Sequence, residues 1–338
     1  MTKDNISKIK QLLSTPKRIV IVPHKNPDGD AIGSSLGLYL YLVKQKHVVT
    51  VIAPNEYPDF LKWMPKENTI LKYESQRESS NSHIINAEII FTLDFNALHR
   101  TGEMETPLND SKAIKIMIDH HQQPDDYAKF MYSNTSMSST CEMVYNFIEM
   151  LGESDVVDSE IATCLYAGIM TDTGSFRFPC TTSKTLQVVA HLMEKGADNS
   201  AIYNAIYDTN TTERMQLLGC ALKNLKVLPD YRTAYITLTQ DELNAFNFKK
   251  GDTEGFVNYG LSIENIVFAA IFIEHKQEGI TKISLRSKGN FSVNEFARAH
   301  FDGGGHTNAA GGKSDLNLKD TVEKFITILP GYKQALRL

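Results

Sequence analysis

Ile19-Val20-Ile21-Val22-Pro23-His24-Lys25-Asn26-Pro27-Asp28-Gly29-Asp30-Ala31-Ile32-Gly33-Ser34 is the stretch from which the fold is read. Four β-branched residues in a row predict a short buried strand. From Ala31 to Leu42 apolar residues recur at helical spacing, so the intervening segment is a strand-to-helix turn. In parallel α/β sheets ligand sites form at the carboxyl ends of strands. His24, Asp28 and Asp30 stand in that turn, and imidazole plus carboxylates are ligands for hard-to-borderline cations. Asp and Gly are equally common in turns that cap a helix, so this loop alone leaves both readings open. A calcium-binding EF-hand is excluded, because Ile32 and Tyr39 occupy places that need oxygen ligands.

Outward from this turn the pattern repeats. His47–Ile52, Glu88–Asp94 and the run from Ile114 read as further strands. Asp94 closes one, and Asp119-His120-His121 closes another. Helices are expected over 4–13, 138–151, 158–170 and 182–196, with the polar segment 74–82 as a solvated loop. The helix over 158–170 runs into Thr171-Asp172-Thr173-Gly174. Strands alternating with helices predict an α/β fold with a parallel sheet and crossover helices. Residues 200–228 read as largely helical. Beyond them strands are expected over 231–238, 266–274 and 280–286, with helices over 240–246, 293–300 and 318–329. A glycine-rich loop, Phe301 to Gly312, lies between the last two helices.

Composition narrows the function. The chain has 338 residues, enough for two domains, and a formal charge of −5. That balance argues against gripping long duplex nucleic acid, which needs a basic face. It leaves room for small anions where cations supply positive charge locally. The longest strongly apolar run, Ile266 to Ile273, is too short to span a bilayer, and Met1 to Leu13 lacks a signal-peptide core. Cys141, Cys164, Cys180 and Cys220 have no zinc or disulfide spacing and read as reduced packing residues, so a cytoplasmic location is expected. Trp63, Phe60 and Met64 are read as packing, as are His47, His83, His99, His191, His275 and His300. Arg177 is open between an exposed helix end and a substrate contact.

Carboxylates and imidazoles thus close three separate strands, and Asp172 follows a helix. If those strands are neighbours, the groups converge, and so many acids in one cleft require cations. Taken together, His24-x-x-Pro27-Asp28-x-Asp30-x-x-Gly33-Ser34, Asp94 with Arg100, Asp119-His120-His121 and Thr171-Asp172-Thr173-Gly174 resemble, in order, the four motifs of the DHH phosphoesterase family. Arg286-Ser287 and Gly303-Gly304-Gly305-His306-x-Asn308-Ala309-Ala310-Gly311 look like its associated substrate-binding domain. The size of the chain is similar to the nanoRNase group, described as bifunctional oligoribonuclease and pAp (3′-phosphoadenosine 5′-phosphate) phosphatase.

The resemblance implies a catalytic metal domain over 1–195, a helical connector over 196–229 and a smaller α/β domain over 230–338 facing the first across a cleft. It implies two Mn²⁺ ions, with Mg²⁺ or Co²⁺ as substitutes. His24 and Asp28 would hold one, Asp30, His120 and Asp172 the other, and Asp94 would bridge them. His121 would face the scissile phosphate and Asp119 would orient a ligand or the loop, which makes His121, Asp94 and Asp119 the implied catalytic set. Arg286, Ser287, Gly303, Gly304, Gly305, His306, Asn308 and Arg100 would bind substrate. Glycine allows close backbone approach to an anion, and Arg offers a planar fork for phosphate. The implied substrates are short single-stranded RNA oligonucleotides or small phosphorylated nucleotides, with no duplex and no membrane partner. A homodimer stands as a candidate assembly. Within the family the alternative is a cyclic or linear dinucleotide phosphodiesterase. A RecJ-like processive exonuclease is disfavoured by the short, acidic chain, and a family pyrophosphatase by the glycine-rich segment. The non-enzymatic alternative is a nucleotide-binding regulatory module, expected where metal ligands have been lost.

Overall fold

Ile19–Val22 lies in β1 (Arg18–Val22), at the centre of a six-stranded sheet. The other strands are β2 (Val48–Ala53), β3 (Leu71–Lys72), β4 (Ile89–Leu93), β5 (Ile114–Asp119) and β6 (Phe130–Ser133). All pair in parallel, in the order β3-β2-β1-β4-β5-β6. The order reverses between β1 and β4, so the ends of these two strands open the crevice in which doubly wound sheets bind ligands. Alternation explains why the strands are apolar throughout. Ile19 and Ile21 face one buried cluster while Val20 and Val22 face another, as expected of a sheet covered on both sides.

The structure, a computed structural model, describes residues 1–337 and divides into two units, Met1–Thr209 and a second that starts at Asn210. In the first, α1 (Lys3–Leu12), α2 (Gly29–Lys44), α5 (Thr140–Met150), α6 (Ser159–Asp172), α7 (Ser183–Glu194) and α8 (Asn199–Tyr207) contribute to one cluster. The helices α3 (Arg77–Asn86) and α4 (Glu105–Asp110) cover the other face through Ile84 and Leu108. Two glycines let α2 and α6 cross backbone to backbone. A Cβ on Gly33 would lie 2.5 Å from the Cys164 carbonyl oxygen, and one on Gly168 would lie 2.2 Å from Cys141 Sγ. That crossing sets Asp30, in the first turn of α2, beside the last turn of α6.

The second unit holds α9 (Thr212–Lys223), β7 (Lys226–Leu228), β8 (Thr233–Leu238), α10 (Gln240–Ala245), α11 (Phe256–Leu261), β9 (Phe268–His275) and β10 (Ile280–Ser287). After them come α12 (Val293–His300), β11 (Asp302–Gly305), β12 (Ala309–Ser314) and α13 (Leu318–Ile328). Its sheet runs β11-β12-β10-β9-β8-β7, antiparallel except for β8 with β9. The chain is therefore mixed α/β with a parallel sheet and a second sheet, as its alternation of elements indicated.

Two local readings are corrected. The polar segment 74–82 is not a loop, because α3 begins at Arg77 and buries Ser80 and Ile84, one helical turn apart. So narrow a buried stripe leaves almost no periodic signal. The glycine-rich segment is a hairpin, not a loop. His306 N–H donates to the Ala309 carbonyl at 2.7 Å, and β11 lies so close to β12 that a Cβ on Gly303 would stand 2.1 Å from the Gly311 carbonyl oxygen. The stretch 200–228 is largely helical, as read, through α8 and α9, and ends in β7; β6 was not foreseen, since four residues carry little pattern. The four cysteines are unpaired, Cys141 and Cys164 being buried. Trp63 and Phe60 pack against the first unit's core, and Met64 belongs to it.

Candidate metal centre

Each donor side chain is placed by the element it ends or begins. His24 follows β1, Asp94 follows β4, Asp119 is the last residue of β5, Asp30 lies in the first turn of α2, and Asp172 ends α6. Parallel pairing of β1 with β4 and of β4 with β5 brings the three strand ends side by side. Within the first unit three groups result, each with ligand atoms within 4.8 Å of one another: His24, Asp28 and Asp94; Asp30, His120 and Asp172; and Asp94, Asp119 and His121.

His120 Nε2 lies 3.4 Å from Asp172, 3.5 Å from Asp94 Oδ1 and 3.8 Å from Asp30. His24 Nε2 lies 3.5 Å from Asp94 Oδ2 and 3.9 Å from Asp28. These separations are too long for good hydrogen bonds. They match atoms arranged around a shared cation with bonds of about 2.1 Å. The opposite ring nitrogens are committed. His24 Nδ1 donates to the Lys25 carbonyl at 2.8 Å and His120 Nδ1 to the Met137 carbonyl at 3.2 Å, so in the neutral ring each Nε2 carries the lone pair. His121 Nδ1 is tied to Asp119 Oδ1 at 2.7 Å. Asp119 is fully buried and its Oδ2 has no hydrogen-bond partner among the described residues. Asp28 combines both readings of its loop. Its Oδ1 accepts from the Asp30 and Ala31 amides as a helix cap, while Oδ2 faces His24.

The buried acids and imidazoles shift one another's titration. Burial, then the charges of Asp94 and Asp172, push the Asp30 carboxyl well above the ordinary range. Asp172 is pushed up to about 7 by burial, helped by Asp28 and Asp94 and opposed by His120. Burial also opposes ionisation of Asp94, but its contacts with His120 and His24 outweigh it and hold that carboxyl well below the usual range. Both imidazoles titrate high. Burial works against their charge, and the contact with Asp94 and the neighbouring carboxylates overcome it. Clustered buried acids that raise one another's pKa fit a site built for divalent cations, and an oxygen/nitrogen set without thiolate fits Mn²⁺ or Mg²⁺.

A pH dependence follows. A carboxyl with a raised folded-state pKa favours the protonated folded chain, so its stabilising contribution, present below about pH 4, is lost as the pH rises through about 7. Cations need the deprotonated acids. The rise in melting temperature on adding Mn²⁺ should therefore be small at pH 5 and large at pH 8. At a hundredfold excess over Kd it should reach about 2.7 kcal/mol, or roughly 5–10 °C. Differential scanning fluorimetry with and without chelator checks this, and a Mn²⁺ shift greatest at pH 5 would contradict it.

Asn55, Thr140 and Cys141 also shape the site and lie outside the motifs quoted above. Asn55, after β2, accepts from Asn26 N–H at 2.7 Å and donates to Asn26 Oδ1 at 2.8 Å, pinning the loop where Asn26 takes a left-handed conformation. At the start of α5, Thr140 and Cys141 contact Asp30, and Thr140 contacts Asp94. The only sequence signal was Ser139-x-x-Glu142, a helix-start pattern. Arg100 lies in a 3₁₀ turn whose carbonyl accepts from Lys25 N–H at 2.8 Å, and its charge is felt by His24.

In the second unit Arg286 stands on β10, paired with Ala309 of the hairpin. Ser287 and Asn308 use their polar atoms as braces. Asn308 donates to Ser287 Oγ and to the Gly289 carbonyl, both at 2.9 Å, and Ser287 donates to the Phe291 carbonyl at 2.6 Å. Asn294 Oδ1 accepts from Gly305 N–H and from Arg298 Nε, each at 3.1 Å.

Residues 18–169 match the model of the DHH family, N-terminal domain, and residues 232–331 that of the DHHA1 domain. The chain is 30% identical over 296 residues to a Streptococcus mutans protein named probable bifunctional oligoribonuclease and PAP phosphatase NrnA, covering 88% of this chain and 89% of that one. It is 26% identical over 335 residues to the cyclic-di-AMP phosphodiesterase GdpP of Bacillus subtilis, covering 94% of this chain and 48% of that one. The solved structure of an exopolyphosphatase-related protein from Bacteroides fragilis superposes with a TM-score of 0.96 at 42% identity, covering 100% of this chain and 98% of that one.

Proposed function

The chain belongs to the DHH family, and on that footing we propose that it is a metal-dependent phosphoesterase that degrades short oligoribonucleotides from one end and converts pAp to AMP and phosphate. The observation that carries the chemistry is the pair of donor groups between which the buried Asp94 stands, one oxygen toward His24 and the other toward His120. His24, Asp28 and Asp94 would hold one ion, and Asp30, His120 and Asp172 with Asp94 the other. When bound, two Mn²⁺ ions, or Mg²⁺ or Co²⁺ in their place, supply Lewis acidity toward phosphate and an acidified water. The residues do the rest. His121, fixed through Nδ1 by Asp119, would face the scissile phosphate. Water forms the new bond to phosphorus as the bond to the leaving oxygen breaks, and no side chain is consumed.

Substrate positioning falls to Arg286, His306 and the glycine strand, with Arg100 beside the metal ligands. Ser287 and Asn308 contribute by bracing the hairpin turn. Arg286→Ala should weaken binding of a phosphorylated substrate about 10- to 150-fold, the scale of one charge-assisted phosphate contact. A small generic phosphodiester should be cleaved almost as before, and equal losses on both would count against the division of labour. The four unpaired cysteines support a reducing, cytoplasmic setting. No helix among the described residues is long and apolar enough to cross a membrane.

Similarity to the relatives named NrnA supports the linear-RNA and pAp reading, and similarity to GdpP supports a cyclic dinucleotide as the second. One hydrolysis panel separates them: pAp, 5′-phosphorylated RNA of graded length, and cyclic and linear diadenylate, at fixed Mn²⁺ and low salt. Dimers to pentamers and pAp should be hydrolysed, with a steep decline by about twenty nucleotides, because a chain of net charge −5 offers no basic track. Faster cleavage of the cyclic dinucleotide than of linear dimers and pAp would install the second reading. Binding without turnover on any member would favour a regulatory module.

A further inference from the structure

We propose that Thr140 is a positioning residue of the metal centre: the first turn of α5 grips Asp30 and Asp94 together and so sets Asp94 to serve both donor groups. This rests on the metal-centre reading above and deepens it. Thr140 touches two different elements at once. Its N–H donates to Asp30 Oδ2 at 2.6 Å, and the next amide, Cys141 N–H, donates to Asp30 Oδ1 at 2.8 Å. Its hydroxyl donates to Asp94 Oδ1 at 2.9 Å.

Two adjacent amides on two oxygens stop the Asp30 carboxylate from turning. The hydroxyl does the same for Asp94. It keeps Oδ1 on the His120 side, 3.5 Å away, and so leaves Oδ2 on the His24 side, also at 3.5 Å. Free rotation about the Asp94 Cβ–Cγ bond would let both oxygens drift toward either imidazole. The gripping turn is itself braced. Ser139 Oγ caps it by accepting from Glu142 N–H at 3.0 Å. The buried Glu142 carboxylate accepts from Ser138 N–H at 3.2 Å, Ser138 Oγ at 2.5 Å and, from α7, Thr185 Oγ1 at 3.0 Å. Thr140 is fully buried, so its geometry is held by packing as well as by these bonds.

The test compares Thr140→Val, which keeps the shape and removes the hydroxyl donor, with Thr140→Ser, which keeps the donor. Metal-free full-length protein is titrated with Mn²⁺ by calorimetry, and the loaded protein is examined by electron paramagnetic resonance. Wild type and Thr140→Ser should take up two ions and show the signal of a coupled pair. Thr140→Val should keep one tight ion, lose about ten- to a hundredfold in affinity for the second, and show a single-ion signal. Its metal-free circular dichroism should match wild type; should it fail to fold, Thr140→Ala removes the same donor and carries the same expectation. Two ions bound by Thr140→Val with wild-type affinity would overturn the proposal, and so would a Thr140→Ser variant as impaired as Thr140→Val. Wild-type protein that takes up no Mn²⁺ would instead overturn the metal-centre reading itself.

Discussion

Asp94→Asn should lower turnover by at least about a thousandfold, the scale on which one strong electrostatic group at a reacting centre acts, while leaving the fold intact. Asp94 is 2% exposed and stands between the two donor groups, one oxygen toward His24 and the other toward His120 and Thr140. Its carboxyl is held well below the usual range, against burial, by those imidazoles. The amide is nearly isosteric but removes the negative charge that both groups share. On the proposed two-ion reading, binding of both ions should weaken together, whereas Asp172→Asn or Asp28→Asn should weaken chiefly one. The check is kcat on pAp at saturating Mn²⁺, with circular dichroism of the metal-free variant. Near wild-type turnover would remove Asp94 from the centre of the mechanism.

Gly168→Ala is expected to cost about 3 kcal/mol, toward the upper end for overpacking a core, and to lower the melting temperature by roughly 6–12 °C. The added Cβ would stand 2.2 Å from Cys141 Sγ and 3.0 Å from Asp30 Cα, where α2, α5 and α6 meet. Relief should be specific. Cys141→Ala removes the nearest obstacle, so the double variant Gly168→Ala/Cys141→Ala should recover a large part of the loss, a coupling that a double-mutant cycle reads directly. Gly33→Ala meets the Cys164 carbonyl oxygen at 2.5 Å, and no side-chain deletion opens that space. Cys141→Ala should therefore not rescue it. Additive losses for Gly168→Ala with Cys141→Ala would show that the helix crossing yields elsewhere. Metal affinity should fall in Gly168→Ala as well, because the same crossing sets Asp30 beside Asp172.

Much of the fold was legible because its signals are local. Four consecutive β-branched residues before a His-x-x-x-Asp-x-Asp turn and a helical period are neighbours in sequence, and the structure turns them into β1 and α2 almost residue for residue. The long helices of the first unit were equally readable from their apolar stripes. Elements with little buried surface were not. β6 has four residues, and α3 buries only Ser80 and Ile84, so neither leaves a period to detect. The glycine hairpin was misread because glycine is as compatible with an open loop as with a strand, and only the approach of Gly311 to Gly303 decides.

The sequence by itself determined which residue types end which elements: imidazole and carboxylate after β1, a carboxylate after β4, and the Asp119-His120-His121 run closing β5. Their chemistry as cation ligands follows from side-chain type, which needs no structure. Tertiary structure decided which of them meet. The order β3-β2-β1-β4-β5-β6 seats β1 against β4 and so places His24 beside Asp94. The contact of Gly33 and Gly168 with their neighbours brings α2 to α6, and Asp30 and Asp172 to His120. Thr140 reaches Asp30 across 110 positions of chain. Strand order and helix crossing are settled by how all apolar faces are buried at once, and no window of neighbouring residues carries that information.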